Sequence, residues 1–203
     1  RCSITIVNIV TRDRNSLFEK LTGAFSVASL NILGARAVTR KDGLAIDVFY
    51  VEDKNGGVVD DPKIRQLCES SIRSFLADKI SPDELISEKK KKTDRSQRFS
   101  NQDKLGERIA SQVDVYRDIS LNRTIVEVRA PDQVGLLHLI AKTISTCGFS
   151  IQFARIATEQ GIATDVFNIE PLESKEPFSP IRFLELREKL SAALHEGKFY
   201  HEV

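Results

Sequence analysis

Apolar and polar positions follow the same sequence of patterns twice along this chain. Ser3–Val10 and Arg123–Ala130 are rich in β-branched residues, and each predicts a strand. Behind each, apolar residues recur at helical spacing. Leu17, Phe18, Leu21, Phe25 and Ala28 form one set, and Leu136, Leu137, Ile140, Ile144 and Cys147 the other. Each set is one face of an amphipathic helix. Two further strands follow, Asn31–Arg40 with Gly43–Glu52 and Ser150–Thr158 with Gly161–Ile169, joined by tight turns at Asp42-Gly43 and Gln160-Gly161. Second helices come next, at Asp61–Ala77 and Pro180–Leu194. Phe183, Leu186, Leu190, Ala193 and Leu194 mark the buried face of the latter. Short strands then close each half: Val113–Ile119 for the first, Phe199–Val203 for the second.

The two halves are copies of one module. Asp13 aligns with Asp132, Asn31-Ile32 with Ser150-Ile151, and Ala35-Arg36 with Ala154-Arg155. One extra residue at Lys41-Asp42 precedes the strands G-L-A-I-D-V-F (Gly43–Phe49) and G-I-A-T-D-V-F (Gly161–Phe167). The order is βαββαβ in both. The fold class expected is therefore α/β in the α+β sense: two ferredoxin-like modules in tandem, antiparallel sheets with helices on one face. The first module is expected over 1–120 and the second over 121–203. A charged insertion at about 79–108 precedes the first module's last strand. Within the insertion, Glu88–Arg98 has few apolar residues and reads as a mobile, solvated loop.

Strand alternation sets Asp47 with Ala45, Phe49 and Val51, and Asp165 with Ala163, Phe167 and Ile169. That is the helix-covered face. An aspartate there must lie at a margin or be hydrogen-bonded, so both are expected to be structural, holding a neighbouring loop or helix start. Arg36 and Arg155 read as solvated strand arginines.

Composition narrows the class. The 203 residues are 41% hydrophobic and 29% charged, with a formal net charge of +1, so no global field recruits nucleic acid or membrane. Cys2, Cys68 and Cys147 are odd in number and far apart. No disulfide framework is expected, and a cytoplasmic, reducing location is. Cys68 and Cys147 lie on apolar helix faces as small hydrophobes. The chain opens on Arg1 without a signal-peptide layout and is expected to be a fragment of a longer protein. His138 is expected at the surface. No histidine–cysteine spacing suits a metal, and neither a phosphate loop nor a nucleophile elbow is present. No catalytic residue is expected. An RNA-recognition module of the same topology would need an aromatic, basic-glycine strand, whereas V-F-Y-V and V-F-N-I lack that lead.

The words D-x-x-G-L-L (Asp132–Leu137) and D-G-L-A-I-D-V-F (Asp42–Phe49), placed in βαββαβ units, resemble tandem ACT domains. T-R-D-R-N-S-L-F, N-I-L-G-A-R-A-V-T-R-K-D-G-L-A-I-D-V-F and T-I-V-E-V-R-A-P-D-Q-V-G-L-L resemble the C-terminal region of the bifunctional uridylyltransferase/uridylyl-removing enzymes. The resemblance implies an amino-acid sensor with glutamine as effector, in a parent nucleotidyltransferase with phosphohydrolase activity. That parent would use Mg and UTP to modify the PII signalling protein. It also implies ACT–ACT pairing, within the chain or in a homodimer. An ACT pair of another amino-acid metabolic enzyme, or a stand-alone ACT-repeat protein, is the rival.

The effector site is expected at the loop after the first strand, where unpaired N–H groups at a helix start favour a carboxylate. In copy two it takes in Asp132, Gln133, Val134, Gly135, Leu136 and Leu137, with Ser150 and Ile151 offering backbone partners from a neighbouring module. In copy one it takes in Asp13, Arg14, Asn15, Ser16, Asn31 and Ile32. Copy two is favoured, because Asn15-Ser16 stands where the family has proline and glycine.

Overall fold

A computed structural model describes residues 4–97, 110–120, 122–172 and 180–196. The chain divides into two compact units. The first takes the described residues up to 97 together with Gln133–His138, and the second takes 110–132 and the residues from Leu139 onward.

In the first unit, β1 (Thr5–Arg12), β2 (Asn31–Thr39) and β3 (Leu44–Glu52) form an antiparallel sheet with β3 between the other two. Helices α1 (Leu17–Val27) and α2 (Pro62–Leu76) pack on each other. Asp61 caps α2, accepting from the Lys63 N–H at 2.8 Å, with Pro62 at the first helical position. Leu17, Leu21 and Phe25 are buried as the helical spacing predicts. The Phe49 ring meets Phe25 and Phe18 at centroid separations of 4.8 and 5.4 Å.

Over Glu88–Gln97 the expected loop is instead helical, and Arg98 lies outside the described residues. Helix α3 spans Pro82–Gln97 and packs against α1. Its start is well written: the Ser81 hydroxyl accepts from the Asp83 N–H at 3.3 Å, Pro82 opens the helix, and Asp83 and Glu84 occupy the first turn. Pro82 and Ile86 are buried against the unit. The first lysine of the run is not merely solvated. Lys89 donates to the carbonyls of Ser26 and Val27 and to the Ser29 hydroxyl, capping the C-terminal end of α1. Burial lowers its pKa. A helix that closes another helix's carbonyls gains order that its composition alone would not supply.

In the second unit, β4 (Gln112–Asp118), β5 (Arg123–Pro131), β6 (Phe149–Arg155) and β8 (Ile162–Pro171) pair antiparallel in the order β4-β5-β8-β6. The two-residue β7 (Thr158–Glu159) also pairs β8. Helix α4 (Leu136–Thr146), from Leu139 onward, and α5 (Pro180–Glu196) complete the unit. Arg182 of α5 donates to the carbonyls of Cys147 and Gly148 at 3.4 Å and lies over the Phe149 ring.

The strand expected to close the first module does not do so. β4 pairs with β5, with Val113 opposite Val128 and Val115 opposite Val126, and it packs against α5. The reason is local. Only a short turn separates β4 from β5, held by the Asn122 N–H to Ile119 C=O bond at 3.3 Å and by Asp118 accepting from the Ser120 N–H at 2.9 Å. Neighbouring strands joined so briefly form a hairpin. The strand expected at Phe199–Val203 lies outside the described residues.

Gly23 sits inside α1 because Pro82 comes close: an added Cβ would stand 2.7 Å from Pro82 Cβ. Gly23→Val is therefore expected to push α3 off α1 at a cost of about 1–3 kcal/mol. Amide exchange in α3 should rise at least about tenfold, while the β1–β3–β2 ladder keeps its protection.

Candidate functional site

The loop after the first strand is built identically in the two copies. The Asp13 N–H donates to Gly43 C=O at 2.9 Å, and the Asp132 N–H to Gly161 C=O at 2.8 Å. Each bond pins the strand end to the turn of the following hairpin. A further bond closes each loop, Leu17 N–H to Arg14 C=O at 3.3 Å and Leu136 N–H to Gln133 C=O at 3.0 Å. The residue before each helix is left-handed: Ser16 at φ 60 and Gly135 at φ 78. Glycine suits that backbone, and serine holds it at a cost.

Beneath each loop lies the strand aspartate. Asp47 is 3% exposed and Asp165 1% exposed, on the helix-covered face as alternation predicts. Burial first, and then the loop aspartate of the same copy, Asp13 or Asp132, push each carboxyl up to about 7. Asp165 also accepts from the Ala157 N–H, which pulls it part of the way back. Its Oδ1 is buried with no hydrogen-bond partner among the described residues. Asp165 holds the Ala157 backbone, as expected of a structural aspartate. The titration of both aspartates near neutrality is not readable from strand alternation, because it depends on how deeply the helix covers them.

The two loops differ in what faces them. In copy one, Asn15 and Ser16 line an open cleft of about 320 Å³. Glu19 and Lys20 of α1 form one wall, and Phe75, Asp78, Ile80, Ser81 and Pro82 the other. The Lys20 ammonium pairs with the Asp78 carboxylate at the rim, and that contact lowers the Asp78 pKa. Arg14 donates to Leu76 C=O at the end of α2. In copy two the space before the glycine is filled. A Cβ on Gly135 would stand 2.6 Å from Ile86 Cγ2 of α3. The close approach that glycine allows there is made by α3.

His138 is buried rather than at the surface. Its Nδ1 lies 3.0 Å from Glu19 C=O and its Nε2 3.1 Å from Asp83 Oδ1, so both ring nitrogens face acceptors. The helix in the insertion is what covers it. A helical reading of Pro82–Gln97, resting on the Ser-Pro-Asp-Glu start, is the signal that could have found this contact.

The remaining site residues are not brought to the loops within their own units. Asn31 pairs with Glu52 and Ile32 with Val51, at the end of β3 away from Gly43 and Asp13. Ser150 and Ile151 pair with Glu170 and Ile169, at the end of β8 away from Gly161 and Asp132. Asn31 is exposed, and its amide lies 3.5 Å from Glu52 Oε1 and from Asp53 C=O. The Ser150 hydroxyl donates to Glu170 C=O at 3.3 Å. Arg36 and Arg155 are exposed. Burial pushes the Cys68 thiol up to about 11 and raises that of Cys147, so both are poor nucleophiles. No helix among the described residues is long and apolar enough to cross a membrane.

Raised carboxyls have a definite sign. The native state holds these protons more tightly than the unfolded chain. Their contribution to stability is thus full below about pH 3.8 and lost as pH rises through about 7. A rise of that size penalises the charged form by on the order of 4 kcal/mol. Asp165→Asn is therefore expected to stabilise the protein by about 2–4 kcal/mol at pH 8 and by nearly nothing at pH 4. Urea unfolding of both proteins at the two pH values measures it.

No protein-family model matches the chain. Curated relatives do. A bifunctional uridylyltransferase/uridylyl-removing enzyme of Gluconobacter oxydans is 28% identical over 94% of this chain and 20% of its own length. Namesakes from Caulobacter vibrioides and Phenylobacterium zucineum are 30% and 31% identical over 95% of this chain, again covering 20% of each relative. Along nearly its whole length, the chain is homologous to the bifunctional uridylyltransferase/uridylyl-removing enzymes, and it spans about a fifth of the length of those it matches.

Proposed function

We propose that this chain is a tandem ACT region that senses free glutamine and regulates a uridylyltransferase/uridylyl-removing enzyme. Its homology to enzymes of that name supports the regulatory reading, as does the absence of any catalytic constellation expected from its sequence. In the full-length protein the reaction would be uridylyl transfer to and from the PII signalling protein, with UTP and Mg serving the catalytic part.

The observation that carries the sensor reading is the copy-one cleft. It sits at the loop where an effector is expected, and its groups match a zwitterion with an amide side chain. Lys20 suits the carboxylate. Asp78 and Glu19 suit the ammonium. The amide of glutamine needs both a donor and an acceptor, and Asn15, Ser16 and Ser81 offer both. Phe75, Ile80 and Pro82 supply the apolar wall for its methylene chain. In this reading copy one is the receptive loop, while Ile86 stands in front of copy two.

A ligand that binds only the folded state raises the unfolding temperature by mass action. Millimolar glutamine is expected to raise it, with glutamate and asparagine giving less. Asp78→Ala removes an exposed carboxylate from the rim. It should weaken glutamine binding by about tenfold or more, with little change in stability without ligand. A response to a different amino acid would favour the regulatory region of another amino-acid metabolic enzyme. No response to any amino acid would defeat the sensor reading.

A further inference from the structure

The sheet of the first unit stops at β1. Among the described residues, β1 pairs with β3 on one side and with nothing on the other. The second unit provides an internal control. There the corresponding strand, β5, has β8 on one side and β4 on the other. Val7 corresponds to Val126 and Ile9 to Val128. With β4 alongside, Val126 and Val128 are 0% and 1% exposed, whereas Val7 and Ile9 stay only half-buried. Beside Thr5 and Val7, a groove of about 470 Å³ runs beneath α2, walled by Leu30, Val51, Val59, Cys68 and Ile72. On the other face of the strand, Ile6 and Val10 are 54% and 60% exposed. Edge strands are usually guarded by lysine, proline, a bulge or an inward charge. Thr5–Thr11 has none of these.

We propose that β1 is the docking edge for a second copy of this chain, pairing antiparallel with its own β1 about a two-fold axis at Asn8. The argument is the strand's sequence. Thr5–Thr11 reads T-I-V-N-I-V-T, which is its own reverse in side-chain class. Antiparallel pairing about Asn8 sets Thr5 opposite the second copy's Thr11, Ile6 opposite its Val10, Val7 opposite its Ile9, and Asn8 opposite its Asn8. Opposed residues in an antiparallel pair share a face. In this register the half-buried Thr5, Val7, Ile9 and Thr11 meet one another, and the exposed Ile6, Asn8 and Val10 meet one another. A slip of one residue would set groove-facing side chains against outward ones. No like charges face each other within the paired segment. A two-fold interface requires a self-complementary surface, and this strand is one. An unrelated peptide would have no need of the symmetry.

The register makes the test specific. Sedimentation velocity of the 203-residue chain is expected to show a monomer–dimer equilibrium between micromolar and millimolar concentration. Ile6→Lys/Val10→Lys places lysine opposite lysine at both outer pairs and should weaken the dimer by about tenfold or more. Ile6→Lys/Val10→Glu places lysine opposite glutamate at the same pairs and should restore it. Both positions are exposed in the monomer, and circular dichroism will verify that the variants fold. The proposal is overturned if the wild type stays monomeric, or if the two double variants associate alike. Protection of the β1 amides in a monomeric wild type would mean that another segment of the chain covers the edge, which overturns it equally.

Discussion

One backbone hydrogen bond, made once in each copy, organises the rest of each module. It runs from the residue after the first strand to the glycine of the hairpin turn, Asp13 to Gly43 and Asp132 to Gly161. With that bond made, the loop has few residues left in which to reverse and start a helix. It does so through a left-handed residue, Ser16 or Gly135. The helix must then lie over the strand face that carries Phe49 or Phe167, and over the aspartate two residues before each phenylalanine. The buried carboxyl follows from the geometry of the loop and hairpin. Neither Asp47 nor Asp165 is a free choice of surface chemistry.

Much of this was legible in the sequence because it rests on local pattern. The repeat, the helix faces at Leu17–Phe25 and Leu136–Ile144, the turn at Asp42-Gly43 and the face of the strand aspartates all follow from spacing alone. What escaped depends on partners. The alternation of Gln112–Asp118 announces a strand but does not say which neighbour it pairs with, and a four-residue connection decided that. The lysine run looked like a solvated loop because only Leu85, Ile86 and Pro82 supply apolar surface. Its order comes from the capping of α1 by Lys89 and from the His138 contact with Asp83. Neither is visible in hydropathy. The open cleft at Asn15-Ser16 and the filled space at Gly135 were likewise illegible, since both depend on where α3 lies.

The copies differ in a consistent way. Where copy two uses glycine at positive φ, at Gly135 and Gly148, copy one uses Ser16 and Ser29. Each serine sacrifices some backbone comfort for a hydroxyl. The Ser29 hydroxyl is spent on Lys89, and Ser16 lines the cleft. Gly135 in turn lets Ile86 pack directly on the loop backbone. One loop thus faces open space, while the glycine of the other is met by the inserted helix.

This division bears on what the buried carboxyls can report. The charge on Asp47 is opposed by burial first and by Asp13 second. Asp13 stands on the loop, two residues from the cleft-lining Asn15. Any cation held near Asp13 would offset its field and ease the ionisation of Asp47. By reciprocity, ionising Asp47 would tighten the hold on that cation by the same free energy. In copy two the charge on Asp165 is likewise opposed by burial first and by Asp132 as well. A carboxyl poised near neutrality beneath an open loop is therefore coupled to whatever charge the loop receives.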